Sequence, residues 1–209
     1  MKKYRFAAIA IALVIFSACN SHDNKSPESK GMDNKKTDTA QQAAATNEKE
    51  VKVITAIYPQ LDAGAAASIK AIVDHYLHIK NALTSDNGSE AAGGGKAMEE
   101  VIRKMDKSLF TVEQKKIYDN IAEDLQEHAE HIGKNGDNVK HQREHFAMMS
   151  DDVYDLVKAF GAGRPIYQDH CPMYNEGKGA IWLSESKEIK NPYYGNKMIT
   201  CGSVEEMLR

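Results

Sequence analysis

Hydrophobic positions recur at helical spacing through the middle of this chain, and the pattern breaks up toward both ends. Ile69, Ile72, Val73, Tyr76, Ile79 and Leu83 share one face and predict a helix from about Ser68 to Thr84. Met98, Val101, Ile102, Met105 and Leu109 predict a second helix over 89–109, its first turns weakened by Gly93, Gly94 and Gly95. A third opens on Thr111 and Gln114, a capping-box pair, and continues through Ile117, Tyr118, Ile121, Leu125 and Ile132 until Gly133 and Gly136. A fourth, over 137–160, turns Phe146, Met149, Val153, Leu156, Val157 and Phe160 inward and stops at Gly161 and Gly163. His145 lies beside that face and is expected to look toward the tail. Short connections between amphipathic helices favour an antiparallel four-helix bundle.

After Arg164 short apolar runs alternate with Gly, Pro and Asn. Pro165 to Tyr167, Ala180 to Leu183 and Met198 to Cys201 read as short strands, with a hairpin turn over 175–179. Ser203 and Glu206 suit a cap for a last helical turn through Arg209. The fold class expected is therefore mainly α: a four-helix bundle over 65–163 and a small Cys-, Met- and aromatic-rich β unit over 164–209.

The start of the chain belongs to a different pattern. Lys2, Lys3 and Arg5 precede an unbroken apolar run from Phe6 to Phe16, and Ser17 and Ala18 lead directly to Cys19. That order is expected of a lipoprotein signal over 1–18, with cleavage before Cys19 and lipid on its thiol. The run is too short to cross a bilayer, which takes about 20 residues. Residues 20–50 contain no aromatic residue and cannot bury enough apolar surface to offset the entropy of ordering. Residues 19–64 are thus expected to be a tether, though the segment from Val51 to Leu61 suits an extended arm lying on the domain. The expected location is the cell envelope, facing the periplasm, with the membrane reached through the lipid anchor. The formal charge is −3, and removal of three basic residues with the signal leaves −3 − 3 = −6, which argues against nucleic acid as a partner.

Chemistry concentrates in the tail. His170-Cys171-Pro172-Met173 stands on one side and Met198-Ile199-Thr200-Cys201 on the other. Thiolate and thioether are soft ligands and suit Cu(I), so Cys171, Met173, Met198 and Cys201 form a candidate metal set with His170 as a fifth ligand. An even cysteine pair in an oxidising compartment is first suspected of forming a disulfide, here from Cys171 to Cys201. A second candidate is the histidines: His75 with His78, His128 with His131, and His141 with His145 each share a helical face. Any one pair is ordinarily a solvated flank. The sequence carries no phosphate loop and no nucleophile elbow, and an enzyme is not expected.

Cys171-Pro172-Met173, Gly179-Ala180-Ile181-Trp182-Leu183-Ser184, Asn191-Pro192-Tyr193-Tyr194-Gly195, Met198 and Cys201-Gly202 together resemble a bacterial periplasmic family, domain of unknown function 3347. In the helices, Tyr76-Leu77, Lys80-Asn81-Ala82-Leu83 and Arg143-Glu144-His145-Phe146 agree. The resemblance spans about residues 65–207. It implies lipoprotein relatives of the C-terminal domain of heavy-metal efflux adaptors, hence copper or another soft metal as the bound ion and an efflux adaptor as a partner. Cys-Pro-Met also looks like a short heavy-metal motif in which His and Pro follow Met, whereas Tyr174 and Asn175 stand here. The rival expectation is a disulfide-stapled interaction module docking onto an envelope or efflux partner.

Overall fold

The computed structural model describes residues 51–209, so the signal over 1–18, the lipidation site Cys19 and the tether up to residue 50 lie outside the described residues. The described unit is mainly helical with a small sheet built chiefly from its C-terminal part. Four helices carry the bulk: α1 (Ala63–Thr84), α2 (Gly88–Arg103), α3 (Val112–Lys134) and α4 (Val139–Phe160). Consecutive helices pack on one another, and α1 also meets α4. The faces marked by periodicity are the ones buried: Ile69, Ile72, Val73, Tyr76, Ile79 and Leu83 on α1, and Phe146, Met149, Val153, Leu156, Val157 and Phe160 on α4. No described helix is long and apolar enough to cross a membrane.

The helix ends follow their side-chain chemistry. Thr111 Oγ1 accepts from the Gln114 N–H while Gln114 Oε1 accepts from the Thr111 N–H, completing the capping box that starts α3. Gly161, at φ +76°, ends α4 and donates its N–H to the Val157 carbonyl at 2.8 Å. The glycines of α2 behave otherwise than propensity suggests. A Cβ on Gly94 would lie 2.7 Å from Ile79 Cγ1, and one on Gly95 would lie 2.7 Å from the Ala129 carbonyl oxygen. These glycines let α2 approach α1 and α3 closely, and the packing gained offsets their weak helix propensity. The second helix ends at Arg103, short of the expected Leu109, because Asp106 caps a separate 3-10 turn over Lys107–Leu109.

Four strands form one sheet in the order β1-β4-β2-β3: β1 (Lys52–Ile54), β2 (Ile166–Cys171), β3 (Ala180–Ser184) and β4 (Ser203–Leu208). β2 runs antiparallel to both β3 and β4, while β1 pairs parallel to β4. Two expectations are corrected here. Residues 203–208 are a strand, not a helical turn, and Met198–Cys201 is a turn, not a strand, closed by the Cys201 N–H on the Met198 carbonyl at 3.0 Å. A lone helical turn offers few contacts; as a strand, 203–208 satisfies its backbone against β2 on one side and β1 on the other. The arm before α1 is the source of that outer partner. Ala56 and Tyr58 donate to the Arg209 and Ala159 carbonyls, so the arm expected over Val51 to Leu61 lies on the sheet and the end of α4, and α1 begins at Ala63 inside the stretch otherwise assigned to the tether.

The β unit is tied to the helices by a buried polar network. Tyr76 Oη on α1 lies 2.7 Å from Ser150 Oγ on α4 and accepts from the Leu183 N–H of β3 at 2.9 Å. Tyr193 Oη donates to the Ile181 carbonyl, and its ring lies 5.9 Å from Phe146, which stacks on Tyr76 at 5.0 Å. Trp182, fully buried, meets the edge of Tyr193 at 6.0 Å. Trp182 and Tyr193 are therefore core, as their size favours, while Tyr194 is half-buried.

Candidate metal centre in the tail

The topology decides which tail residues meet. β2 ends at Cys171, β4 begins at Ser203, and the two strands run antiparallel with His170 opposite Ser203. A chain entering β4 from its N-terminal side must pass the end of β2, and Cys201 arrives there. The two sulfurs lie 3.3 Å apart, with Cys171 fully buried, Cys201 half-buried, and both as thiols. Contact with Cys171, and then burial, raise the Cys201 thiol above its ordinary pKa. Thiolate is the ligand form of cysteine, so any ion held by the pair must displace protons.

The loop before β4 presents Cys201. Asn191 is fully buried at its centre. Its Nδ2 donates to the Cys201 carbonyl at 2.6 Å, its N–H donates to the Ile199 carbonyl at 2.8 Å, and its Oδ1 accepts from the Tyr193 and Tyr194 N–H groups. Arg143 on α4 anchors the same loop from outside, donating through Nε to the Pro192 carbonyl at 2.7 Å and through Nη2 to the Leu83 carbonyl and Asp86. Gly195 has φ +52°, and a Cβ there would collide with Asp86 and Arg143. Tyr194 Oη donates to the Met173 carbonyl at 2.9 Å; burial and then the two thiols raise its pKa. The Asn191-Pro192-Tyr193-Tyr194-Gly195 string is thus the scaffold of the thiol pair. Sequence reasoning named it for resemblance but missed Asn191 as the organising residue; a lone Asn next to Pro reads as a turn.

The other expected ligands are placed differently. Successive strand residues point to opposite sheet faces, so His170 leaves the face opposite Cys171. Its Nδ1 lies 3.5 Å from Glu205 Oε1, and it opens to a cleft shared with Met148 and Asp151 of α4. Met173 is 52% exposed just beyond β2, and Met198 is half-buried three residues before Cys201. The fold brings the two thiols into contact and leaves the thioethers at the margin.

The thiol spacing can be tested against a metal. Two thiolates on one tetrahedral ion, at about 2.3 Å each, sit about 3.8 Å apart. A disulfide needs about 2.05 Å. At 3.3 Å the pair would open slightly for the first and close for the second. The donor set fits a soft ion.

A family model, Protein of unknown function (DUF3347), matches residues 72–164 and supports the resemblance drawn from the sequence. The match covers α1 from Ile72 through α4 and ends before β2, so the cysteines lie beyond it. No curated protein and no solved structure matches the chain.

Proposed function

We propose that this protein is a lipid-anchored, periplasm-facing envelope protein that binds a soft metal ion, copper as Cu(I), for resistance or delivery to efflux. The four main helices act as an antiparallel bundle that serves as a platform. Cys171 and Cys201 are the ligands, with Met198 and Met173 as neighbouring thioethers that can be drawn in. The observation that carries this reading is the 3.3 Å approach of two thiols thirty residues apart, held by a loop dedicated to presenting Cys201. Two sulfurs prefer Cu(I) over harder ions. The anchor rests on the basic n-region, the apolar run and Ser17-Ala18-Cys19.

A second reading has one observation in its favour: the thiols already touch, and the bond they would form closes the loop from β2 to β4. That staple would add roughly 3–4 kcal/mol in the chain-entropy model and leave an interaction module for an envelope or efflux partner. Titration of the reduced protein with Cu(I) against a competing chelator separates the two. The metal reading expects one equivalent, lost in Cys171→Ser and in Cys201→Ser, and a raised melting temperature at saturating Cu(I). Two thiols that stay unreactive until reduced, with no melting shift on Cu(I), favour the staple.

A further inference from the structure

The α3–α4 hairpin gathers four histidines that the tail site does not use. His128 and His131 come from α3, His141 and His145 from α4, and the connection between the helices is only residues 135–138. His128 lies eight residues before Gly136 and His145 nine after it; His131 and His141 lie five on either side. Positions equidistant from a tight turn meet across a helical hairpin. The outcome is a cluster centred on His145, whose ring stacks on His131 at 4.1 Å, meets His141 edge-on at 4.6 Å and lies 5.4 Å from His128. His145 therefore looks toward α3, contrary to the tail-facing expectation.

The ligand atoms converge. One nitrogen each from His131, His141 and His145 lies within 4.8 Å of the others. His128 Nδ1 is 3.2 Å from His145 Nδ1. Two imidazole nitrogens on one tetrahedral ion, at about 2.05 Å each, sit about 3.3 Å apart. Each outer ring has a carboxylate near one nitrogen: His128 Nε2 and Asp152 at 3.7 Å, His131 Nε2 and Glu127 at 3.9 Å, and His141 Nδ1 and Glu144 at 3.5 Å. Carboxylates that accept from the second ring nitrogen orient metal-ligating histidines and raise their basicity, and these three stand within a small adjustment of that role. Asp152 Oδ2 is buried and makes no hydrogen bond among the described residues. Asp124, Asp151 and Asp155 add negative charge around it.

We infer that His131, His141 and His145, with His128 beside His145, form a site for one divalent first-row transition ion of the imidazole-preferring class, Zn2+ or Cu2+, separate from the thiol pair. Neutral imidazole selects borderline ions, whereas paired thiols select a soft one, so the two sites accept different oxidation states of a metal such as copper. The acidic surround offsets the charge that the ion brings.

The full chain, metal-free and at neutral pH, is titrated with Zn2+ by calorimetry and with Cu2+ by electron paramagnetic resonance. The expected results are one strong equivalent of each ion, Cu2+ tighter than Zn2+, and nitrogen hyperfine structure from at least three imidazoles. His145→Ala lowers affinity at least ~100-fold and Asp152→Asn ~10-fold. The pair variant H75A/H78A leaves both titrations unchanged. Loss of Zn2+ binding in Cys171→Ser, or its survival in His145→Ala, overturns the site. Should His145→Ala fail to fold, nitrogen-15 spectra of the unmodified protein decide. The first equivalent of Zn2+ then shifts the four clustered rings together; a shift confined to His75, His78 or His170 refutes the assignment.

Discussion

The thiol pair and the histidine cluster are built in opposite ways. The histidines belong to adjacent helices joined by a four-residue turn, so local geometry alone brings them together. The cysteines are thirty residues apart and meet only because β4 pairs with β2 and Asn191 holds the intervening loop. One cluster is a property of a hairpin; the other is a property of the finished tail. Local contacts are recovered readily after a disturbance, whereas non-local ones depend on every element that closes the loop. The two regions should therefore separate under mutation.

The largest expected effect comes from the residue that joins them. Phe146 is fully buried, stacks on Tyr76 and lies against Tyr193 of the tail loop. Phe146→Ala should cost about 3–5 kcal/mol in urea unfolding and loosen the tail first, seen as early proteolytic loss of residues beyond Gly163. A cost below about 1 kcal/mol would show that Phe146 is not a keystone. Asn191→Ala should act on the tail alone. It removes a buried side chain with three hydrogen-bond partners, the Cys201 carbonyl and the Tyr193 and Tyr194 N–H groups, at about 2–3 kcal/mol. Thiol reactivity toward a disulfide reagent should rise severalfold while Zn2+ binding by the histidines holds. Equal damage to both would refute the separation. Thr111→Ala, which uncaps α3 far from either site, should cost about 1 kcal/mol and move neither.

The helices were legible because burial on one face leaves a 3.6-residue signature, and Thr111 with Gln114 announces its helix start outright. Residues 203–208 were not, because Ser203 and Glu206 fit a cap locally while the strand is fixed by β2 and β1, which are distant in sequence. Gly94 and Gly95 misled for the same reason: their use lies in Ile79 and Ala129 across the interface. The thiol contact was legible only as one of two outcomes, and the sheet register that separates His170 from Cys171 was missed although adjacent strand residues always diverge. The histidine cluster was within reach. Reading each helix alone gave three unremarkable pairs; counting outward from Gly136 aligns 131 with 141 and 128 with 145.

The smallest effect probes the tail through its buried carboxylate. Asp169 on β2 is fully buried, and neither oxygen has a hydrogen-bond partner among the described residues. Lys80 lowers its pKa by attraction, but Lys80 is already paired with Glu185 at 2.9 Å, and burial wins, raising Asp169 to about 8. The folded protein thus holds a proton that the unfolded chain, with a carboxyl near 4, releases over the range between. Stability contributed by this group is complete below about pH 4, falls as pH rises toward 8, and is flat beyond. Asp169→Asn keeps the shape without the titration. It should gain roughly 1–2 kcal/mol at pH 8, where the native carboxylate would be ionised without a partner, and nothing at pH 4. Denaturant midpoints of the two proteins across that window are the measurement. If both fall with the same slope from pH 4 to 8, Asp169 is ionised throughout and the attraction of Lys80 outweighs burial. Because the carboxylate sits two residues from Cys171 on the same sheet face, the variant should leave Zn2+ binding on the helical hairpin untouched at every pH.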